Sequence, residues 1–287
     1  MEKKISFLIV NLIFIINILV EFFIKKNFLV WISYFIEKKS YSTLKVENGY
    51  LKFFTPNFIT FWRFKTFFQK EPETLSWIRS FPKNKKFIFW DVGANIGLYS
   101  LYAQRKFPKS ETISFEPSTS NLRIFSRNIF INDLDKKIKI LPLALNNSNF
   151  SFSHLNESDF IEGGALNAFD NKKDYEGKNF KARNKYQILG VSADNLIHLK
   201  ILEIPNYIKI DVDGNEHIVL EGMKTILSSK KCKAISIEIN DRYKIQKKNV
   251  IKILKKNGFK FLDKQQSELI KKSDIFKDSY NYIFYKT

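Results

Sequence analysis

The chain has 287 residues, 44% of them hydrophobic, enough to bury one full core with room for an additional N-terminal segment. A single cysteine, Cys232, excludes an intrachain disulfide framework, and His154, His198 and His217 are too scattered to form a recognisable zinc motif; both features fit a reducing compartment. The net charge of +19 points to an acidic partner (nucleic acid, anionic lipid, or a phosphorylated or uronic substrate) or to an Asn-, Ile- and Lys-rich coding bias, and the excess of lysine over arginine weakens the case for nucleic acid.

From Ile5 to Ile24 the chain is almost wholly apolar, interrupted by Ser6, Asn11, Asn17 and Glu21 and bracketed by Lys3, Lys4, Lys25 and Lys26. As a helix it would be roughly 30 Å long, the thickness of a bilayer core. It has no small-x-small cleavage site, so it does not read as a removable signal peptide. Phe28 to Ile36 adds Trp31, Tyr34 and Phe35, residue types that favour the headgroup boundary. Two readings of residues 1–40 stand: membrane contact, as an anchor, a membrane-associated hairpin or an interfacial helix, and a pair of apolar helices packed on the following domain. If the segment spans, Lys25, Lys26, Lys38 and Lys39 favour a cytoplasmic downstream domain, membrane-associated at the cytoplasmic face.

Residues 41–80 form an aromatic-rich lead-in, with a short hairpin expected around Val46–Phe54 and a role in covering one edge of a sheet. From residue 81 onward, strands and helices alternate. Strands are expected at Phe87–Val92, Thr112–Phe115, Ile138–Leu143, Tyr207–Val212 and Ala234–Ile239, with helices from Ile96, Ser118, Asn215 and Lys244. This pattern predicts a mostly parallel sheet with helices on both faces. Phe259–Leu262 and Ser279–Tyr285 suit a terminal antiparallel hairpin. An insertion near 150–185 shows no clear period and reads as a lid, with Gly163-Gly164 as a hinge or a surface turn.

The most informative stretch is Asp91-Val92-Gly93-Ala94-Asn95-Ile96-Gly97, a strand ending in a carboxylate and a glycine turn. Its Gly-x-x-x-Gly spacing differs from a dinucleotide fingerprint, and Asp91 would repel a pyrophosphate. A cationic adenosyl ligand, S-adenosyl-L-methionine, suits it better. Glu116, at the end of the next strand, is placed to accept both ribose hydroxyls. Asp91, Glu116, Asp211 and Glu238 all stand at or near strand ends on one edge of the sheet.

Asp91-Val92-Gly93-Ala94-Asn95-Ile96-Gly97, Phe115-Glu116-Pro117 and Ile208-Lys209-Ile210-Asp211-Val212-Asp213-Gly214-Asn215-Glu216, with Val219-Leu220-Glu221-Gly222 following, resemble the signatures of FkbM-type methyltransferases. The resemblance runs from about Phe87 to about Leu262. It implies a class I methyltransferase (Rossmann-like) fold, S-adenosylmethionine as cofactor, and O-methylation of a sugar, glycan-intermediate or other small-molecule hydroxyl. Where the family commonly has glutamate, this chain has Asp213.

In this reading, Asp91 meets the methionine part of the cofactor, Gly93, Asn95 and Gly97 shape the turn, Glu116 takes the ribose, and Ala144 and Asn146 lie against adenine. Asp211 serves the acceptor hydroxyl, with Asp213, Glu216 and His217 as helpers; Asp213 is alternatively a helix cap, Glu216 a surface ion-pair partner, and His217 a packed or surface histidine. Asp194 matches a family position and is explained equally well as a helix cap. No metal is expected. Two other functions are weighed: an RNA methyltransferase, which the charge favours but the sequence Asp211-Val212-Asp213-Gly214 does not, and a non-catalytic membrane-tethered binding module, which the intact strand-end acids oppose.

Overall fold

Alternation along one strand sets up both faces of the molecule. In β1, Ile88–Val92, the side chains of Trp90 and Val92 enter one hydrophobic core and that of Phe89 enters another, as a period of two requires. The computed structural model describes residues 1–171, 173–179 and 182–286. It places β1 in a seven-stranded sheet with β2 (Glu111–Phe115), β3 (Ile138–Leu141), β4 (Tyr207–Ile210), β5 (Ala234–Asn240), β6 (Lys260–Gln265) and β7 (Ser279–Tyr285). The order is β6-β7-β5-β4-β1-β2-β3. The five strands from β5 to β3 in this order run parallel, and β7 is antiparallel to both its neighbours.

Helices cover both faces. Leu98, Leu101, Ile124 and Phe125, from helices Leu98–Lys106 and Thr119–Phe130, join the first core. Val219, Leu220, Val250 and Leu254, from Glu216–Glu221 and Lys244–Lys256, join the second. The chain runs outward from β1 through β2 to β3, then returns to β4 on the other side of β1. That reversal opens a crevice beyond the carboxyl ends of the strands.

The insertion is not irregular. Ser151–Glu157, Asn167–Phe169 and Asn184–Ser192 pair with one another, and Ala144–Asn146 completes a second, four-stranded sheet. Its strands are half-exposed and polar, and its core is small, formed by Ala144, Leu155 and Phe169, so sequence hydrophobicity carries little strand signal there. For the same reason β3 stops at Leu141, before the expected Leu143: the chain crosses into the second sheet at Ala144.

The lead-in hairpin, Tyr41–Val46 with Gly49–Phe54, is a separate two-stranded sheet rather than a cover for the main sheet's edge. Lys52 N donates to Asn132 Oδ1 at 2.9 Å and Phe54 N to Asn128 Oδ1 at 2.8 Å, so the hairpin lies over the Thr119–Phe130 helix and the turn after it.

At the N-terminus, helix Glu2–Ile24 turns into helix Leu29–Lys39. Asn17 Oδ1 accepts from Phe28 N at 2.8 Å and Leu29 N at 3.2 Å, satisfying donors at the start of the second helix. Asn17 is the only buried residue of Glu2–Ile24, so this helix does not pack on the domain. The second helix is tied down through Glu37, which pairs with Arg127 and, at 3.0 Å, with Arg123.

Candidate functional site

Gly93 makes the site's first turn possible. Its φ is 82°, and a Cβ there would lie 1.8 Å from the Asp211 carbonyl oxygen, so only glycine lets the end of β1 pass this close to the end of β4. Asn95 follows with φ 53°; its N–H donates to Glu116 Oε2 at 2.7 Å and its amide to Gly164 O at 2.6 Å. Gly97, with φ 83°, starts the next helix, and a Cβ there would strike the Phe125 ring at 2.1 Å. Gly97 therefore serves packing.

A cavity opens beyond these strand ends, with the second sheet and the Gly163-Gly164 turn as its other wall. Gly93, Asn95, Glu116, Ala144, Asp211 and Asp213 all line it, and so does Glu238. The buried Glu116 carboxylate also accepts from Ser118 N at 2.9 Å and Asn121 Nδ2 at 3.3 Å, while burial pushes its carboxyl up to about 7. Ser118 precedes the helix Thr119–Phe130 without a side-chain cap; its Oγ pairs with Ser120 Oγ.

Asp213 holds the insertion rather than capping a helix: its Oδ2 accepts from Leu166 N at 2.8 Å and Asn167 N at 3.0 Å. Burial, reinforced by neighbouring Asp211, pushes its carboxyl up to about 6.

Four expected site residues besides Gly97 lie away from the cavity lining or turn inward from it. Asp91 is fully buried, its Oδ2 accepting from Ser100 Oγ at 2.5 Å and its Oδ1 without a partner. Strand alternation puts it on the Phe89 side of β1, under helix Leu98–Lys106. Asn146 folds onto its own turn, Oδ1 accepting from Ser148 N at 3.0 Å. Glu216 is buried, not ion-paired at the surface: it accepts from Val212 N at 2.9 Å and Gly214 N at 3.1 Å, contacts Gln246, and is raised by burial to about 7. His217 is half-buried against the Tyr243 ring, its Nδ1 unpartnered, and burial lowers its pKa. Asp194 does not cap its own helix, Ala193–His198, which Ser192 caps; its carboxylate instead accepts from Thr225 N and Ile226 N in the first turn of helix Lys224–Ser228.

Asp91 belongs to a polar seam across one face of the sheet. Ser114, Asp91, Lys209 and Ser236 are register neighbours on β2, β1, β4 and β5, and Asp211 and Glu238 continue the same face toward the cavity. Glu71, from the lead-in, covers the seam. Lys209 Nζ lies 2.8 Å from Asp211 Oδ2 and 4.0 Å from Glu71 Oε2. Although burial opposes it, these carboxylates raise the Lys209 pKa. Burial likewise opposes ionisation of Glu71, but Lys70 and Lys209 prevail and lower it to about 2.

Residues 91–261, more than half the chain, match the family described as the Methyltransferase FkbM domain. The chain belongs to the FkbM methyltransferase family. It is similar to Methyltransferase sdnD of Sordaria araneosa, 39% identical over 71 residues covering 25% of this chain and 27% of that protein. It is also similar to Methyltransferase 1 of Beauveria bassiana, 25% identical over 142 residues covering 46% of this chain and 57% of that protein. The chain thus spans less than two thirds of either relative. The crystal structure of Methyltransferase FkbM from Methylobacillus flagellatus KT superposes with a TM-score of 0.50 at 14% identity, over 76% of this chain and 48% of that one, and shares the fold.

This FkbM-family cavity also uses residues outside the matched segment. Trp62, Arg63 and Lys70 come from the lead-in, and Ile270 and Phe276 from the C-terminal part. Nothing local in the sequence marks Arg63 or Glu71. Lys209 did carry a signal: a lysine at an inward position of the apolar run Ile208–Ile210 needs a buried anion. Glu238 was visible as a strand-end acid without a role; burial, with Asp211 and Glu71 nearby, raises its carboxyl well above the usual range. Cys232 is a buried small side chain whose thiol burial pushes up to about 12.

Proposed function

We propose that the protein transfers a methyl group from S-adenosylmethionine to a hydroxyl of a sugar, glycan intermediate or other small molecule. The observation that carries this reading is the Glu116 carboxylate, buried in the cavity wall and bound to the backbone of the glycine turn. Ribose hydroxyls donate and a carboxylate accepts, so Glu116 suits an adenosyl group. Phe115, Leu143, Ala144 and Leu145 supply an apolar wall for adenine. When bound, S-adenosylmethionine supplies an electrophilic methyl group on a sulfonium.

Asp211 and Glu238 line the same cavity, and with Glu71 each offers a carboxylate oxygen within 4.8 Å of the others. In an in-line displacement the acceptor oxygen forms the new C–O bond as the C–S bond breaks, and the hydroxyl proton must go to a base. Asp211 takes that proton in this reading. Its pairing with Lys209 fixes the carboxylate's position, and Glu238 lines the cavity beside it.

Residues 1–40 anchor the enzyme to a bilayer in the same reading, with the domain at the cytoplasmic face. Helix Glu2–Ile24 has a mean hydropathy of 2.6 over its most apolar window, and 6% of that window is buried. Phe7, Leu8, Leu12, Phe14 and Ile15 are exposed on it.

Calorimetric titration with S-adenosylmethionine and with NAD tests the cofactor, followed by transfer of a labelled methyl group to candidate glycan acceptors. Tighter binding of NAD overturns the reading.

A further inference from the structure

Among the described residues, one cation in the cavity wall forms no ion pair. Arg63 is 9% exposed and lines the cavity. Its Nε donates to Gly163 O at 2.5 Å, but among the described residues its two Nη atoms make no hydrogen bond and it forms no salt bridge. The other cations near the site are answered: Lys209 by Asp211 and Glu71, and Lys70 by Glu71 at 2.7 Å. Both Nη atoms stay accessible from the cavity, where a carboxylate fills the fork with two parallel charge-assisted bonds.

The fork is also held in place. Helix Phe58–Lys65 begins with a capping box between Asn57 and Thr60. Asn57 Nδ2 donates to Glu162 O at 3.1 Å and Glu162 Oε2 at 3.0 Å, tying this helix to the loop whose next residue, Gly163, accepts from Arg63. Gly164, one residue on, is bonded to Asn95 of the glycine turn. Arg63 is therefore anchored on the side of the cavity formed by that turn.

We propose that Arg63 binds the α-carboxylate of the methionine part of S-adenosylmethionine. The inference rests on the cofactor reading above and deepens it. It gives the lead-in, which lies outside the matched family segment, a direct part in cofactor recognition.

The test is calorimetric titration of the full chain with S-adenosylmethionine and with its decarboxylated form, which keeps the sulfonium, the amine and the adenosine. The wild type is expected to prefer S-adenosylmethionine about tenfold or more, the scale of charge-assisted hydrogen bonds. Arg63→Gln should abolish that preference while leaving affinity for the decarboxylated form within about twofold. Arg63→Lys, which keeps the charge and loses the fork, should retain part of it; this second variant covers a failure of Arg63→Gln to fold. A wild type that binds S-adenosylmethionine, with an Arg63→Gln variant that keeps the full preference, overturns the assignment alone. So does intact cofactor preference combined with a raised KM for an anionic acceptor. A wild type that binds neither compound overturns the cofactor reading and this inference with it.

Discussion

Lys209, 2% exposed at its side chain, places its ammonium 2.8 Å from Asp211 Oδ2 at the floor of the cavity. The same ammonium lies 4.0 Å from the equally buried Glu71 and 5.0 Å from the centre of the Tyr99 ring. A central strand thus carries a charge through the core to a carboxylate that lines the cavity.

Lys209→Met should destabilise the fold by roughly 3–5 kcal/mol, because Glu71, Asp211 and Asp91 lose their shared cation. The expected readout is a lower urea midpoint with an unchanged slope. Lys209→Met combined with Glu71→Gln should recover part of the loss. An unshifted midpoint in the single variant would show that the buried pair contributes nothing net.

Glu116→Gln should weaken S-adenosylhomocysteine binding by about tenfold, since one charged acceptor for the ribose is lost. Because burial places the Glu116 carboxyl at about 7, wild-type affinity should rise as pH increases through 7. Titrations at pH 6 and pH 8 check both statements. A pH-dependent gain that persists unchanged in Glu116→Gln would assign it to another group.

Glu216 gives a stability prediction with a definite sign. Its folded pKa of about 7 exceeds the ordinary 4.5, so between those values the folded state binds more protons than the unfolded state and stability falls as pH rises. That contribution is fully present below about pH 4.5 and lost as pH passes 7. Thermal melts at intervals across this window should show a shallower decline for Glu216→Gln than for the wild type. An identical slope in the two proteins would count against the assignment.

Leu12→Arg with Ile16→Arg should release the 287-residue chain from vesicles. Each charge near the centre of an inserted helix costs about 2.5–3.5 kcal/mol. Flotation with anionic vesicles reads the outcome. A protein that floats equally well with both arginines does not insert this helix, and binding lost in high salt would mark a surface interaction instead.

Much of the fold was legible because its signals are local. Apolar runs separated by helical stripes announce a parallel sheet, and glycines at a turn with positive φ announce the tight passage from β1. Glu116 was readable for the same reason, since it directly follows the last residue of β2 and so meets the cavity at the sheet edge. The second sheet was not legible, because its strands bury only a few side chains and alternate polar residues, as in Ser151–Glu157.

Within the chain itself, residue order established the sheet, the hairpin that ends it, the apolar N-terminal segment and the edge on which the acids gather, because each depends on neighbours a few positions apart. Folding in three dimensions assigned the acids their work. Strand pleat turned Asp91 inward to Ser100, and packing of distant segments brought Arg63, Lys70 and Glu71 to the cavity. Such contacts depend on which surfaces meet across the core, and no short stretch of sequence encodes that meeting.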